Sequence, residues 1–172
     1  ELHGLTEALN QPQGRSYLTT CNAVLGDARC GVSVGDPAFT FHHSLTDVFV
    51  GQALVIPHET MAGFDDGWFA QGMCYVTAGA AQGRMAAIKG DENATTGRKL
   101  TLWSGFTQPL QAGTQLRIVA GCDKTAATRT AKFANLVNFQ GFPDIPGEDW
   151  LVSVPQEGQS NTGGSRTRWT VS

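Results

Sequence analysis

Between residues 38 and 121 the apolar side chains come in short runs, several of which alternate with polar ones. This is the period that a half-buried strand imposes, because successive side chains point to opposite faces. Runs near 38–43, 48–56, 67–78, 84–89, 98–104 and 114–120 read as strands. In the last, Leu116, Ile118 and Ala120 alternate with Gln115, Arg117 and Val119. Gly63, Gly67, Gly79, Gly83, Gly90, Gly97, Gly105 and Gly113 punctuate the intervals. Short strands at such spacing predict a mainly β fold, a small β-barrel or sandwich. Trp68, Phe69, Trp103 and Phe106 are expected in or near its core.

On either side the period changes. Leu2, Leu5 and Leu9 predict a short amphipathic N-terminal helix, which Asn10, Pro12 and Gly14 end. Leu25-Gly26-Asp27 then reads as a turn between Cys21 and Cys30. After Cys122, the spacing of Ala127, Thr130, Phe133, Ala134 and Val137 predicts a helix over 124–137 with Asp123 as its N-cap. Gly141, Pro143, Pro146 and Gly147 then forbid regular structure. The pattern divides the chain into 1–37, a helix and cysteine loop; 38–121, the β domain; 122–151, a helix and Phe-Pro locking segment; and 152–172, an extended C-terminal tail. That tail is polar and glycine-rich, and is expected to order only against a partner.

Composition narrows the function. A net charge of -3 with 16% charged residues supplies no basic footprint for nucleic acid. No apolar run approaches the roughly 20 residues that span a bilayer, and the start ELHGLTEALNQ lacks the basic and apolar regions of a signal peptide. The initial Glu predicts processing or trimming from a longer protein.

The familiar catalytic patterns are incomplete. Gly31-Val32-Ser33-Val34-Gly35 matches the nucleophile-elbow spacing, yet Asp36-Pro37 follows where a helix should start. His42 and His43 are neighbours on a strand and so point to opposite faces. His58-Glu59 lacks the second histidine of a zinc helix, and Asp65-Asp66-Gly67 lacks the further carboxylates of a calcium loop; it reads as a turn.

The four cysteines, Cys21, Cys30, Cys74 and Cys122, contain no C-x-x-C pair. They leave open buried thiols, two disulfides or one metal cluster. Cys21 and Cys30 flank a tight loop, and Cys122 opens the predicted helix, where the macrodipole favours a thiolate. Cys74 lies in the apolar run Met73-Cys74-Tyr75-Val76, as a buried inert thiol would.

Several separated motifs occur in one order: Leu25-Gly26-Asp27-Ala28-Arg29-Cys30, Gly121-Cys122-Asp123-Lys124-Thr125, Lys132-Phe133-Ala134-Asn135, Asn138-Phe139, Gly141-Phe142-Pro143 and Pro146-Gly147. In these the chain resembles, over about residues 1–149, the baseplate hub and distal tail protein family of long-tailed phages and gene transfer agents. The cysteine-bearing C-terminal part of that family is itself similar to the minor tail protein L of lambda-like phages. The resemblance implies a non-enzymatic virion protein at the tail tip, assembled in the bacterial cytoplasm and forming a homotrimeric ring. It further implies partners in the distal tail or tube protein, in central fibre or tip proteins, and in an upstream hub half. It also implies a structural 4Fe-4S cluster, with Cys21, Cys30 and Cys122 at three of four ligand positions.

The fourth ligand position falls on Arg129. On a helix, residues 122 and 129 would share a face about 10 Å apart, but an arginine cannot replace a thiolate, and its permanent charge beside a cationic metal is unfavourable unless anions offset it. Cys74 or a non-cysteine ligand could complete a cluster; a Cys21–Cys30 disulfide or free thiols could replace it; or the site is degenerate. Two other classes stay open: a metal- or thiol-dependent redox protein using the same cysteines, and a carbohydrate-binding adhesion module using Trp68, Trp103 and Trp169.

Overall fold

The structure, a computed structural model, describes residues 17–145. The N-terminal helix expected around Leu2, Leu5 and Leu9, the tail 152–172 and Trp169 lie outside these residues. Within them the chain is mainly β, as its pattern predicts. Six strands, β1 (Thr40–Ser44), β2 (Ala53–Ile56), β3 (Met73–Ala78), β4 (Met85–Ala94), β5 (Gly97–Leu102) and β6 (Gln115–Val119), form one antiparallel sheet in the order β1-β6-β3-β4-β5-β2. The sheet curls into a half-barrel.

The curl has a local cause in β4. Residues 85–87 pair with β3, whereas the strand pairs with β5 from Ile88 onward, with a register shift between Ile88 and Gly90. Such a bulge bends a strand and increases its twist, so one long strand serves both halves of the sheet. The inward positions then converge: Leu54 and Ile56 of β2, Cys74 and Val76 of β3, Ala86 and Ile88 of β4, Leu100 and Leu102 of β5, and Leu116 and Ile118 of β6. Leu45, Met61, Phe69, Ala81 and Leu110, from outside the strands, complete this core. Each large aliphatic side chain buried this way contributes about 1.5–3 kcal/mol relative to exposure.

Two predicted strands are shorter than their apolar runs. Over 48–56 only β2 is a strand. Before it, the chain crosses from one sheet edge to the other, tied by a single bridge between Phe49 and Leu110 and by Leu45 bonded to Thr114 and Gly113. Over 67–78 the first residues form consecutive turns, with Trp68 N–H donating to Asp65, Ala70 to Gly67 and Gly72 to Phe69. The path there is imposed by backbone approach: a Cβ on Gly121 would lie 1.6 Å from the Ala70 carbonyl oxygen, and one on Gly72 would lie 2.1 Å from that of Val119.

A second, smaller core lies beside the half-barrel. It is formed by Cys21, Ala23, Cys30, Val32, Cys122 and Phe133, with Leu25, Phe39 and Phe139 packed against it. The helix after Cys122, α1 (Ala126–Ala131), is far shorter than the spacing predicts. Its N-cap is Thr125, whose hydroxyl accepts from Thr128 N–H at 3.2 Å, rather than Asp123. Ala134 takes a left-handed φ of 46°, which no helix continues through, and a short 3-10 turn, Leu136–Asn138, follows.

Phe69 is fully buried, and Trp68 and Phe106 pack against the main core. Trp103 departs from expectation. It is 64% exposed, beyond the end of β5, with the Lys89 ammonium 5.2 Å from its ring centroid.

Candidate functional site

The second core is where the separated motifs meet. Asp27 shapes the loop between Cys21 and Cys30, its carboxylate accepting from Val24 N–H at 3.0 Å and Cys30 N–H at 2.5 Å. The Cys30 amide is the main reason the Asp27 carboxyl sits below its usual range. Gly31 follows at φ +65°, and a Cβ there would come within 2.9 Å of the Asn138 amide nitrogen. The loop is then laced to the C-terminal segment: Cys21 N–H donates to Lys124 O at 2.8 Å, Asn22 N–H to Gln140 O at 3.3 Å, and Gln140 N–H to the Cys21 sulfur at 3.4 Å. The Lys124 ammonium donates to Ala23 O.

Arg129 of α1 holds the middle of this arrangement and is 2% exposed. Its guanidinium donates to the Cys30 sulfur at 3.0 Å, to the Cys30 carbonyl, to Asn135 O at 2.8 Å and to Asn138 O at 3.5 Å. Asn135 adds a side-chain bond to the same Cys30 carbonyl at 3.0 Å, and Asn138 supports Asn135 at 2.7 Å. Charge-assisted bonds from one planar fork thus join positions 99 residues apart in sequence. Burial pushes the Cys30 thiol up, but the Arg129 hydrogen bond, further backbone bonds and the Arg129 charge outweigh it, leaving the thiol below its ordinary value.

The two cores are joined by aromatic and cationic contacts. Phe39 stacks on Trp68 at 6.5 Å and tilts against Phe133 at 5.1 Å. The Lys132 ammonium donates to Trp68 O and to Gly121 O, the latter at 2.8 Å, and lies 4.7 Å from the Trp68 ring centroid. Burial lowers Lys132 to a pKa of about 8, against the opposing pull of Cys122, Asp91 and Asp123. Desolvation pushes the Asp123 carboxyl up, but bonds from Thr125 and Thr128 prevail and lower it.

Cys21, Cys30 and Cys122 therefore share one small core, with Arg129 among them. Cys74 does not join them. It lies in the main core at the Ile118 register of β6, its thiol pushed up to about 12 by burial. Among the described residues no group of three or more His, Cys, Asp or Glu is placed to hold a metal ion. The donor set does not fit a four-thiolate cluster: guanidinium nitrogens are donors with no lone pair to offer, and here they use the Cys30 sulfur as an acceptor.

The other motifs stay apart. Ser33 lies in a turn closed by Asp36 N–H on its carbonyl. His42 is exposed and His43 half-buried on adjacent β1 positions. The His58 ring bonds Ala94 O at 2.6 Å. Asp65 and Asp66 form the expected turn, with Asp66 accepting from Asn93 N–H at 2.8 Å.

One buried pair escaped the sequence reading. Arg98, 1% exposed, meets the Asp91 carboxylate with Nε–Oδ1 and Nη2–Oδ2 both at 2.6 Å and also donates to Phe64 O and Asp65 O. Asp91 accepts from Phe69 N–H at 2.7 Å as well. The only signal in the sequence is two opposite charges flanking the Thr95-Thr96 turn, positions that a hairpin makes diagonal neighbours.

Comparison with known proteins sets the class. Residues 1–33 match the family model described as baseplate hub protein, N-terminal attachment domain, and residues 67–149 match that of phage conserved hypothetical protein BR0599. The resemblance to baseplate hub proteins read from the motifs is thus borne out, since both matching models describe phage proteins. Over 94% of its length the chain is similar, at 42% identity and a TM-score of 0.71, to a chain of the virion of a native gene transfer agent particle. It spans 55% of that chain. No curated protein gives a significant match. Among the described residues no helix is long and apolar enough to cross a membrane.

Proposed function

We propose that the protein is a structural part of the tail tip, a baseplate hub component that forms a homotrimeric ring below the tail tube. In this role it links the distal tail or tube protein to central fibre or tip proteins and to the upstream half of the hub, after assembly in the bacterial cytoplasm. The observation that carries the reading is the attachment-domain match over residues 1–33 on a chain whose fold runs alongside a gene transfer agent virion chain. The fold supports it physically. β1 and β2 are the two ends of the sheet order, and edge strands offer backbone groups to a neighbouring chain.

The role is structural rather than catalytic. Cys30, the thiol nearest to activation, is 1% exposed and its sulfur is engaged by Arg129, so no substrate can approach it in this arrangement. Cross-linking of intact particles followed by peptide mapping tests the assignment. Links from this chain to tube, fibre or other tip proteins are expected; links confined to head proteins would refute it.

A further inference from the structure

We propose that Arg129 makes the cysteine core a metal-free clamp, in which its guanidinium binds the Cys30 sulfur and carbonyl and so joins the 21–35 loop to the 122–142 segment. The argument rests on how completely the guanidinium is used. It is a permanently charged group at 2% exposure, and burying such a group is costly unless its donors are matched. Here every nitrogen has a target: Nε on Asn135 O, Nη1 on the Cys30 sulfur, and Nη2 on the Cys30 and Asn138 carbonyls.

Those targets lie on the cysteine loop and on the turn after α1, two segments that regular secondary structure does not connect. The surroundings are shaped to the same end. Ala134 takes its left-handed φ immediately before Asn135, whose N–H returns to Arg129 O at 3.1 Å while its carbonyl receives Arg129 Nε. Asn135 and Asn138 side chains pack over Gly31, and Asn135, held by a bond from Asn138, donates to the Cys30 carbonyl from a second direction. The remaining lining of this core is apolar, from Ala23, Val32 and Phe133. An inorganic cluster on the same sulfurs would meet, in place of a fourth thiolate, a buried permanent cation that has no lone pair to offer. The clamp is independent of where in the particle the protein sits.

Two measurements on the 172-residue chain test this. Purified wild-type protein is incubated anaerobically with ferrous iron, sulfide and a thiol reductant, desalted, and analysed for iron, acid-labile sulfide and visible absorbance. Wild type is expected to retain no stoichiometric iron or sulfide; stable uptake of both would overturn the proposal, whatever the variants do. In parallel, hydrogen exchange is compared between wild type and Arg129→Met. The amides of Cys21, Asn22, Gly31, Asn135 and Phe139 should exchange on the order of a hundredfold faster in the variant, with Val76 and Ile88 in the sheet unchanged. Arg129→Lys, which keeps the charge but loses the planar fork, should loosen the same amides. Unchanged protection of both segments in either variant would overturn the clamp.

Discussion

Replacing Asp91 with alanine isolates the buried ion pair that fastens the 64–69 turn to the β4–β5 hairpin. In the native fold the carboxylate accepts three bonds, from Arg98 Nε and Nη2 at 2.6 Å each and from Phe69 N–H at 2.7 Å. Asp91→Ala leaves the Phe69 amide unmet and Arg98 with only the Phe64 and Asp65 carbonyls. The guanidinium is 1% exposed, so water cannot replace the lost anion without local opening. Breaking one side of a buried pair costs about 3–5 kcal/mol, a large share of the roughly 5–15 kcal/mol that holds a domain folded.

At about 2–4 °C per kcal/mol for a chain of this size, the thermal midpoint should fall by roughly 6–20 °C. Urea denaturation followed by tryptophan fluorescence measures the free energy directly, and Trp68 sits beside the affected turn. Replacing both partners, Asp91→Leu with Arg98→Met, should be milder than the single change, because no unpaired charge remains buried. A loss below about 1 kcal/mol for Asp91→Ala would refute the reasoning, since that is the range of an exposed pair.

Gly121→Ala should prevent native packing or cost several kcal/mol, seen as loss of soluble folded protein, because its Cβ would meet the Ala70 carbonyl oxygen at 1.6 Å; a wild-type melting curve would contradict this. Lys132 is lowered in the fold to about 8 from an ordinary 10.5, so the folded state releases its proton first and its contribution to stability rises as pH climbs from about 8 towards 10.5. Relative to Lys132→Met, wild type should therefore gain stability across that window, and a flat difference would count against a desolvated ammonium. Cys74, with its thiol near 12, should resist alkylation in the folded protein at about pH 8, where roughly one part in ten thousand is ionised. Modification as fast as in urea would contradict that burial.

The parts of the fold legible in the sequence are those governed by local rules. Alternation in 114–120 marks β6 and the Leu116 and Ile118 face of the core, because a sheet with one buried face must repeat every second residue. Cys74 reads correctly as buried among apolar neighbours. What local rules miss are pairings made by the curl of the sheet. Nothing in the periodicity of 67–78 shows that Gly72 and Gly121 pack backbone against backbone, which turns 67–72 away from strand geometry.

Helical spacing over 124–137 also overstates α1, since the apolar positions that suggest a long helix are met by a short helix, a left-handed Ala134 and a 3-10 turn. Along that broken path Asn135 and Asn138 present the carbonyls that Arg129 meets. Trp103 was expected inside because large aromatics usually are, yet its position beyond β5 turns it outward beneath Lys89. In the candidate site the grouping of Cys21, Cys30 and Cys122 was implied by the family resemblance, and the three do share one small core. The use of Arg129 as a donor to Cys30 was not, because spacing alone gives the face of a residue but not its hydrogen-bond partner.

The proposed role makes this chain a building block of the tail tip. Cryo-electron microscopy of particles carrying it, refined around the distal end of the tail, tests that most directly. Density for the curled six-stranded sheet and its cysteine core is expected in a threefold ring immediately below the tube; finding that fold in the head, or particles whose tail tip lacks it, would contradict the assignment.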